Sequence, residues 1–457
     1  MPRRESGPLR RDTGPRSPNG VRAAAAWALE RTLASHAPAD SFLSSAAAPF
    51  DERDQGLLRE LVLGSLRWLR RIDHVLSSAS RRQLREIEPA LLAPLRLAIY
   101  QLLFLDRVPA HAAVDEAVEH ATRLTHRGGG SFANAVLRAV ARAPRLEDWP
   151  VREGDPNRRV AIELSHPDLL VERWIAHFGR ERALALLEAN NRPKPLQLLA
   201  FRDRGGREQL AEALIDEGLE VTPSKISALG LTVRAGNPFT TRAFERGDFY
   251  VQDEASQVAA LLPPPRAGER VLDAAAAPGG KSAALLAWQP EARVFAADLS
   301  LERMQTLRAN VARLRLRLPA FVGDAGAPAL AGTFDRVVAD LPCSGTGTLR
   351  KHPELKWRIT AGEIGRLRVQ ATRMLDGLAP LVAAGGLLVA ITCSLEAEEN
   401  EDVANDFLSR HAEFRAHPLA EVTPAPLDRW VVSGGLWRLP TGGDHDGFTV
   451  QVLERRR

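Results

Sequence analysis

Cysteine is nearly missing from this chain of 457 residues, occurring only at Cys343 and Cys393. Two thiols are too few for a disulfide framework, and their scarcity suits a reducing cytoplasm. Each cysteine therefore needs its own explanation. Long apolar runs are missing too: none approaches the roughly 20 residues that a membrane-spanning helix needs, and the first residues carry charge and glycine in place of the apolar segment of a secretory signal. A soluble, cytoplasmic protein with no membrane association is expected. Lysine is confined to Lys194, Lys225, Lys281, Lys351 and Lys356, so nearly all the positive charge is arginine. No clustered His/Cys pattern has metal-site spacing, which excludes an expected metal, and no repeat at a solenoid period is visible.

What is present is globular in proportion, with 45% hydrophobic and 26% charged residues, and the length favours two or three packed units. A net charge of +4 with pI near 9.4 permits an anionic partner without demonstrating one. Residues 1–19 mix Arg3, Arg4, Arg10, Arg11 and Arg16 with Pro, Gly and Ser, which reads as a disordered basic tail. From 20 to about 145 apolar residues recur at helical spacing: Val21, Ala25, Leu29 and Leu33, then Leu58, Val62, Leu66 and Leu69, then Leu91, Leu95, Ile99 and Leu102. Arg67, Arg70, Arg71, Arg81, Arg82 and Arg85 fall on the polar faces of these helices, either tracking a phosphate backbone or simply solvated. A loop at 149–157 marks the next boundary, and a helix is expected over 167–190. The segment to 250 alternates short strands with a helix near 207–217, a small α+β unit. From 251 onward short apolar runs at 271–272, 294–297, 321–322, 337–339 and 387–391 alternate with helical periods such as 301–316. That alternation predicts a parallel sheet covered by helices on both faces.

The stretch Val271-Leu272-Asp273-Ala274-Ala275-Ala276-Ala277-Pro278-Gly279-Gly280-Lys281-Ser282 reads as a strand, a small-residue turn and a helix start. Small side chains and two glycines let a ligand approach the backbone, and the helix start can offer N–H groups to a carboxylate. The spacing is not that of a dinucleotide fingerprint, which favours an adenosyl amino acid whose single carboxylate is held by Lys281 and local N–H groups. Asp298 ends the next strand, where it can accept from ribose hydroxyls, and Asp324 ends the third, placed for the adenine. Either aspartate alone would more often be a helix cap.

The fourth strand leads into Asp340-Leu341-Pro342-Cys343-Ser344 and the fifth into Thr392-Cys393-Ser394, so both thiols follow neighbouring strands. Carbon 5 of cytosine is a poor nucleophile until something adds to carbon 6, and a thiolate does that well; a carboxyl such as Asp340 can offset charge at N3. Which cysteine attacks is open on this logic. Cys393 precedes an acidic helix expected to begin near Leu395, whose N-terminus would lower a thiol pKa, while Cys343 lies in a loop suited to closing over a base. A small buried hydrophobe is the plain reading of either cysteine alone. The following run Arg350-Lys351-His352-Pro353-Glu354-Leu355-Lys356-Trp357-Arg358 is expected to hold phosphates and stack a flipped nucleotide.

These residues resemble the Sun/RsmB group of bacterial 16S ribosomal RNA cytosine-5 methyltransferases over nearly everything after the tail. The resemblance implies a multidomain chain: an all-α NusB-like RNA-binding domain (20–145), linker helices with a small α+β domain (146–250), and an α/β Rossmann-like class I methyltransferase domain with a seven-stranded, mostly parallel sheet (251–457). It implies S-adenosyl-L-methionine held by Ala275, Ala276, Ala277, Pro278, Gly279, Gly280, Lys281, Asp298, Asp324 and Asp340. It also implies Cys393 as nucleophile, Cys343 as the releasing cysteine, and Asp340 facing the base. The expected partner is 16S RNA, free or in an assembling small subunit, with the protein a monomer. Val251-Gln252-Asp253-Glu254-Ala255-Ser256 and Asp446-Gly447-Phe448 match the family's entry into and exit from the catalytic domain. Asp54-Gln55 through Arg67 and 132–138 are similar to the antitermination factor NusB. Ala275 departs from the family's usual cysteine, and Leu341 from its usual alanine or proline. The rival readings are a non-catalytic RNA-binding adaptor, which has no use for two cysteines, a cytosine-5 enzyme acting on another RNA such as tRNA, and an exocyclic-amine methyltransferase, which needs an Asp/Asn-Pro-Pro-aromatic loop.

Overall fold

A computed structural model describes residues 20–125 and 127–457; the expected basic tail lies outside the described residues. The described chain forms two compact units, one running to Asn191 and including His352–Arg358, the other made of Arg192–Lys351 and Ile359–Arg457.

The first unit is all helical, from Val21–Ala34 through Arg127–Arg142 and on to Pro156–Glu163, Asp168–Phe178 and Arg180–Asn190. Leu29, Leu58, Val62, Leu66, Leu91, Leu95 and Ile99 of the sequence pattern are all buried in one core. The single helix expected over 167–190 is two helices, because Gly179 takes a φ of 79° that interrupts the α-helical ladder. The arginine stripe also divides. Arg67 and Arg71 are buried, and Arg70 donates to the His166 carbonyl at 2.8 Å and Arg71 to that of Leu146 at 2.8 Å. Arg81, Arg82 and Arg85 face outward.

The second unit opens with a four-stranded antiparallel sheet of order β2-β3-β1-β4, from β1 (Gln197–Ala200), β2 (Glu220–Pro223), β3 (Gly230–Ala235) and β4 (Phe249–Val251). Helix Gly206–Asp216 covers it, with Leu210 and Leu214 packed on Leu198, Leu231 and Phe249. The larger sheet comprises β5 (Arg270–Asp273), β6 (Arg293–Asp298), β7 (Ala320–Val322), β8 (Phe334–Asp340), β9 (Val382–Thr392), β10 (Phe414–Ala416), β11 (Val431–Ser433), β12 (Leu436–Leu439) and β13 (Phe448–Arg455). Its order is β11-β12-β13-β9-β8-β5-β6-β7, with β10 beside β13. The five strands β9-β8-β5-β6-β7 are parallel, and β13 joins β9 antiparallel. The sheet thus has nine strands where seven were expected; the additions include β10 and β11, three-residue edge segments too short to carry an apolar period.

Successive residues of the central strands point to opposite faces. Val271, Val338 and Val389 pack with helix Gly280–Trp288, while Leu272, Val337 and Leu388 pack with helix Ala361–Leu378. Burial on both faces is what made these strands near-continuous apolar runs. The chain turns one way from β5 through β6 to β7 and the other way to β8, so a crevice opens between the carboxyl ends of β5 and β8, where open α/β sheets bind ligands. Among the described residues no helix is long and apolar enough to cross a membrane.

Candidate active site

The crevice is a cavity of about 440 Å³ bounded by Ala274 and Ala275 after β5, Asp298 at the end of β6, Asp324 after β7, Asp340 at the end of β8, and both cysteines. The rest of the predicted turn builds the wall behind it. The Ala276 N–H donates to the Ala297 carbonyl at 2.9 Å, and the Ala277 N–H donates to Asp298 Oδ2 at 3.1 Å. Gly279 holds a φ of 109° at the entry to the helix that starts at Gly280, while Pro278 faces outward. Asp298, 2% exposed, also accepts from the Ser300 N–H at 3.0 Å. Asp324 accepts from the Gly326 N–H at 2.8 Å and pairs with Arg373 at 3.3 Å.

Lys281 turns to Asp340, donating to Oδ2 at 2.5 Å. Burial opposes its charge, but Asp340, Asp273 and Cys393 outweigh that and raise its pKa, so it is an ammonium set against the site's anions. Asp273 beneath it is pushed up to about 6 by burial, against a hydrogen bond from Ser282 and the charge of Lys281. Arg303, in the first turn of helix Leu301–Arg313, and Arg373, within helix Ala361–Leu378, sit at the rim of the cavity with exposed side chains, without any signal in the sequence.

Asp340 and Ile391 are register partners of β8 and β9, and the Leu341 N–H donates to the Ile391 carbonyl at 2.8 Å. Two and three residues further on, the sulfurs of Cys393 and Cys343 lie 3.5 Å apart. The Cys343 thiol is pushed well up by its hydrogen bond to Cys393, by burial, and by the charges of Cys393, Glu399 and Asp340. Cys343 therefore keeps its proton and can offer it to the other sulfur. The Gly347 N–H donates to the Cys393 carbonyl at 2.8 Å, and the Gly447 N–H donates to that of Gly347 at 2.7 Å, lacing the two cysteine loops to the Asp446-Gly447-Phe448 turn. Lys194 joins the two ends of the catalytic region by pairing with both Asp253 and Asp446.

Two expectations are corrected. No α-helix begins near Leu395: Asn400 donates to the carbonyls of Ser394 at 3.1 Å and Glu396 at 2.8 Å, a single 3-10 turn spans Ala397–Glu399, and the α-helix starts at Glu401. A helix N-terminus therefore does not act on Cys393. The run from Arg350 to Arg358 is not an RNA-facing loop. Arg350 is buried, donating to the carbonyls of Arg192, Pro193, Gly443 and His445. Lys356 is fully buried on Arg67 O, Ser165 O and Asn191 Oδ1. Trp357 packs in the helical core with its indole N–H on the Leu66 carbonyl at 2.8 Å, and Arg358 donates to Thr32, His36 and Ala37. Of the cations in that run, Lys351 is the exposed one.

Three family models match: the 16S rRNA methyltransferase RsmB/F over 259–453, the NusB family over 20–142, and the ferredoxin-like domain of RsmF/B-like methyltransferases over 166–240. The ribosomal RNA small subunit methyltransferase B of Pseudomonas syringae pv. tomato is 35% identical over 442 residues, covering 94% of this chain and 96% of that protein. The chain belongs to the RsmB/F methyltransferase family. The probable small subunit methyltransferase B of Bacillus subtilis (strain 168) is 32% identical, over 89% of this chain and 91% of its own length. The crystal structure of PH0851 matches with a TM-score of 0.78 and 26% identity, over 96% of this chain and 99% of that one. NSun6 from Pyrococcus horikoshii, solved with SFG, shares the fold at 20% identity and a TM-score of 0.55, over 64% of this chain and 98% of that one. The chain thus carries a NusB-like helical domain, a ferredoxin-like middle domain that overlaps the four-stranded sheet, and a methyltransferase domain.

Proposed function

We propose that this protein methylates carbon 5 of a cytosine in 16S ribosomal RNA, with S-adenosyl-L-methionine as the methyl donor and Cys393 as a covalent nucleophile. The observation that carries the reading is the pair of sulfurs 3.5 Å apart on one wall of the cavity that Asp298, Asp324 and Asp340 also line. The donor fits that cavity chemically: Asp298 and Asp324 offer carboxylate oxygens to ribose hydroxyls and the adenine, and Ala274 and Ala275 leave the backbone open to an amino acid. When bound, it supplies an electrophilic methyl group.

The chain's own residues do the rest. Addition of the Cys393 sulfur to carbon 6, with the thiol proton passing to N3, turns the ring into an enamine-like nucleophile at carbon 5. Asp340, with one oxygen taken by Lys281, offers the other to a proton at N3, offsetting charge as the ring is activated. Loss of the carbon 5 proton to solvent then breaks the bond from carbon 6 to sulfur and expels Cys393 as a thiolate, which takes back the proton from N3. Cys343, protonated and within reach of the leaving sulfur, serves that release. The reading puts the reaction in the cytoplasm, on 16S RNA free or in an assembling small subunit, with one chain sufficient.

The test is transfer of labelled methyl from S-adenosyl-L-methionine to unmodified 16S RNA, with the product nucleosides separated. Label in 5-methylcytidine is expected. Label in another nucleoside overturns the covalent mechanism, transfer to tRNA alone reassigns the substrate, and no transfer to RNA or subunits returns the adaptor reading. Cys393→Ala should abolish transfer while cofactor binding persists, and Cys343→Ala should accumulate a covalent protein–RNA species. A trapped species with Cys393→Ala instead exchanges the two roles.

A further inference from the structure

Each cysteine is followed by a serine; the two hydroxyls lie 3.5 Å apart, and Ser344 is held by a carboxylate. The Ser344 N–H donates to Glu399 Oε1 at 2.8 Å, and its hydroxyl donates to Oε2 at 2.7 Å. Burial pushes the Glu399 carboxyl up, while hydrogen bonds from the side chains of Ser394 and Ser344 and from the Ser344 N–H pull against it. Glu399 is 1% exposed, beyond the reach of a bound base or phosphate. A buried carboxyl must be met by donors, and here both oxygens are met by Ser344, the residue that directly follows Cys343.

The two sides are not held equally. Cys393 continues β9, its carbonyl accepts from the Gly347 N–H, and Ser394 O accepts from Asn400 at 3.1 Å and from the Thr449 hydroxyl at 2.8 Å. Thr392 before it donates to Asn400 Oδ1 at 2.6 Å. Cys343 lies in a loop beyond the end of β8, where Ser344 depends on Glu399. Loss of the carboxylate would free the Cys343 side first.

We propose that Glu399 is a positioning residue for the release step: by holding Ser344 through both carboxylate oxygens, beside the Ser394 hydroxyl, it keeps the Cys343 thiol against the Cys393 sulfur. The proposal rests on the functional reading above. Glu399 acts through Ser344 and touches no reacting atom. Its charge also adds to the influences that keep Cys343 protonated.

The experiment compares Glu399→Gln with the unaltered protein on unmodified 16S RNA, in single and in multiple turnover, with denaturing gels to detect covalent protein–RNA species. Multiple turnover should fall about tenfold to a hundredfold, as for loss of a charge-assisted hydrogen bond. Single-turnover methyl transfer should stay close to that of the unaltered protein, and the covalent species should build up as it does with Cys343→Ala. Ser344→Ala, a smaller change that removes only the hydroxyl tie, should show the same pattern in weaker form and carries the test if Glu399→Gln fails to fold. Equal losses in single and multiple turnover without a covalent species overturn the proposal, as does unchanged turnover. If the unaltered protein makes no 5-methylcytidine, or Cys343→Ala traps nothing, the functional reading fails and takes the proposal with it. Failure confined to the Glu399 and Ser344 variants sinks the proposal alone.

Discussion

Replacing Gly347 by alanine should cut methyl transfer by roughly a hundredfold while leaving the protein folded. A Cβ there would lie 2.2 Å from the Gly447 carbonyl oxygen, 2.7 Å from its carbon and 3.0 Å from the Cys393 carbonyl oxygen. All three are backbone atoms, so no side chain can rotate away. Opening the shortest contact to 3.0 Å needs a shift of about 0.8 Å, and the residues that must move are tied by the bonds from Gly347 N–H to Cys393 O and from Gly447 N–H to Gly347 O. Leaving one of those buried groups unpaired costs about 1–3 kcal/mol, well inside the usual 5–15 kcal/mol of domain stability. A displacement of that size at a reacting sulfur, however, is enough for about two orders of magnitude in rate. The assay is initial-rate methyl transfer at saturating RNA, alongside the melting temperature and the dissociation constant of S-adenosylhomocysteine. A rate close to that of the unaltered protein, with melting unchanged, would show that the turn gives way without moving Cys393 and would refute the reasoning.

Other expectations can be checked separately. The folded pKa of Asp273 is raised to about 6 by burial, so its contribution to stability is complete below the unfolded value and is lost as pH rises through 6. Asp273→Asn should therefore stabilise the protein at pH 7.5 by up to about 3 kcal/mol and give no gain near pH 4; thermal melts across that range with the same shift throughout contradict this. Trp357→Ala should lower stability by about 3 kcal/mol through lost packing and the lost bond to Leu66, while RNA affinity measured well below the melting temperature stays unchanged. A drop in affinity with no loss of stability would return Trp357 to nucleotide stacking. Asp298→Ala should weaken S-adenosylhomocysteine binding at least about tenfold, measured by calorimetry; unchanged binding would remove Asp298 from the cofactor site.

The strand ends that carry Asp298, Asp324, Asp340 and the two thiols were legible because buried parallel strands write themselves as short apolar runs, and site residues fall where those runs stop. Local pattern alone led elsewhere astray. A cation-rich run with a tryptophan has the same composition whether it grips RNA or ties a loop inward, and only the distant carbonyls of Leu66, Arg67 and Ser165 tell the two apart. The acidic stretch after Cys393 looks like a first helical turn, yet Asn400 satisfies the preceding carbonyls and delays the helix to Glu401. Glu399 was visible only as one more acid in that stretch; its bonds to Ser344 join chain segments that sequence spacing does not connect.

Because His352–Arg358 belong to the helical unit, the chain crosses between its two units three times, after Asn191, after Lys351 and after Arg358. Neither unit can be cut from the gene as one continuous stretch. A product ending at Asn191 lacks seven residues of its own body, including the fully buried Lys356 and the core-packed Trp357. A product starting at Arg192 carries those same residues with nothing to cover them. Two co-expressed pieces should therefore reassemble only when the seven residues travel with their helical hosts.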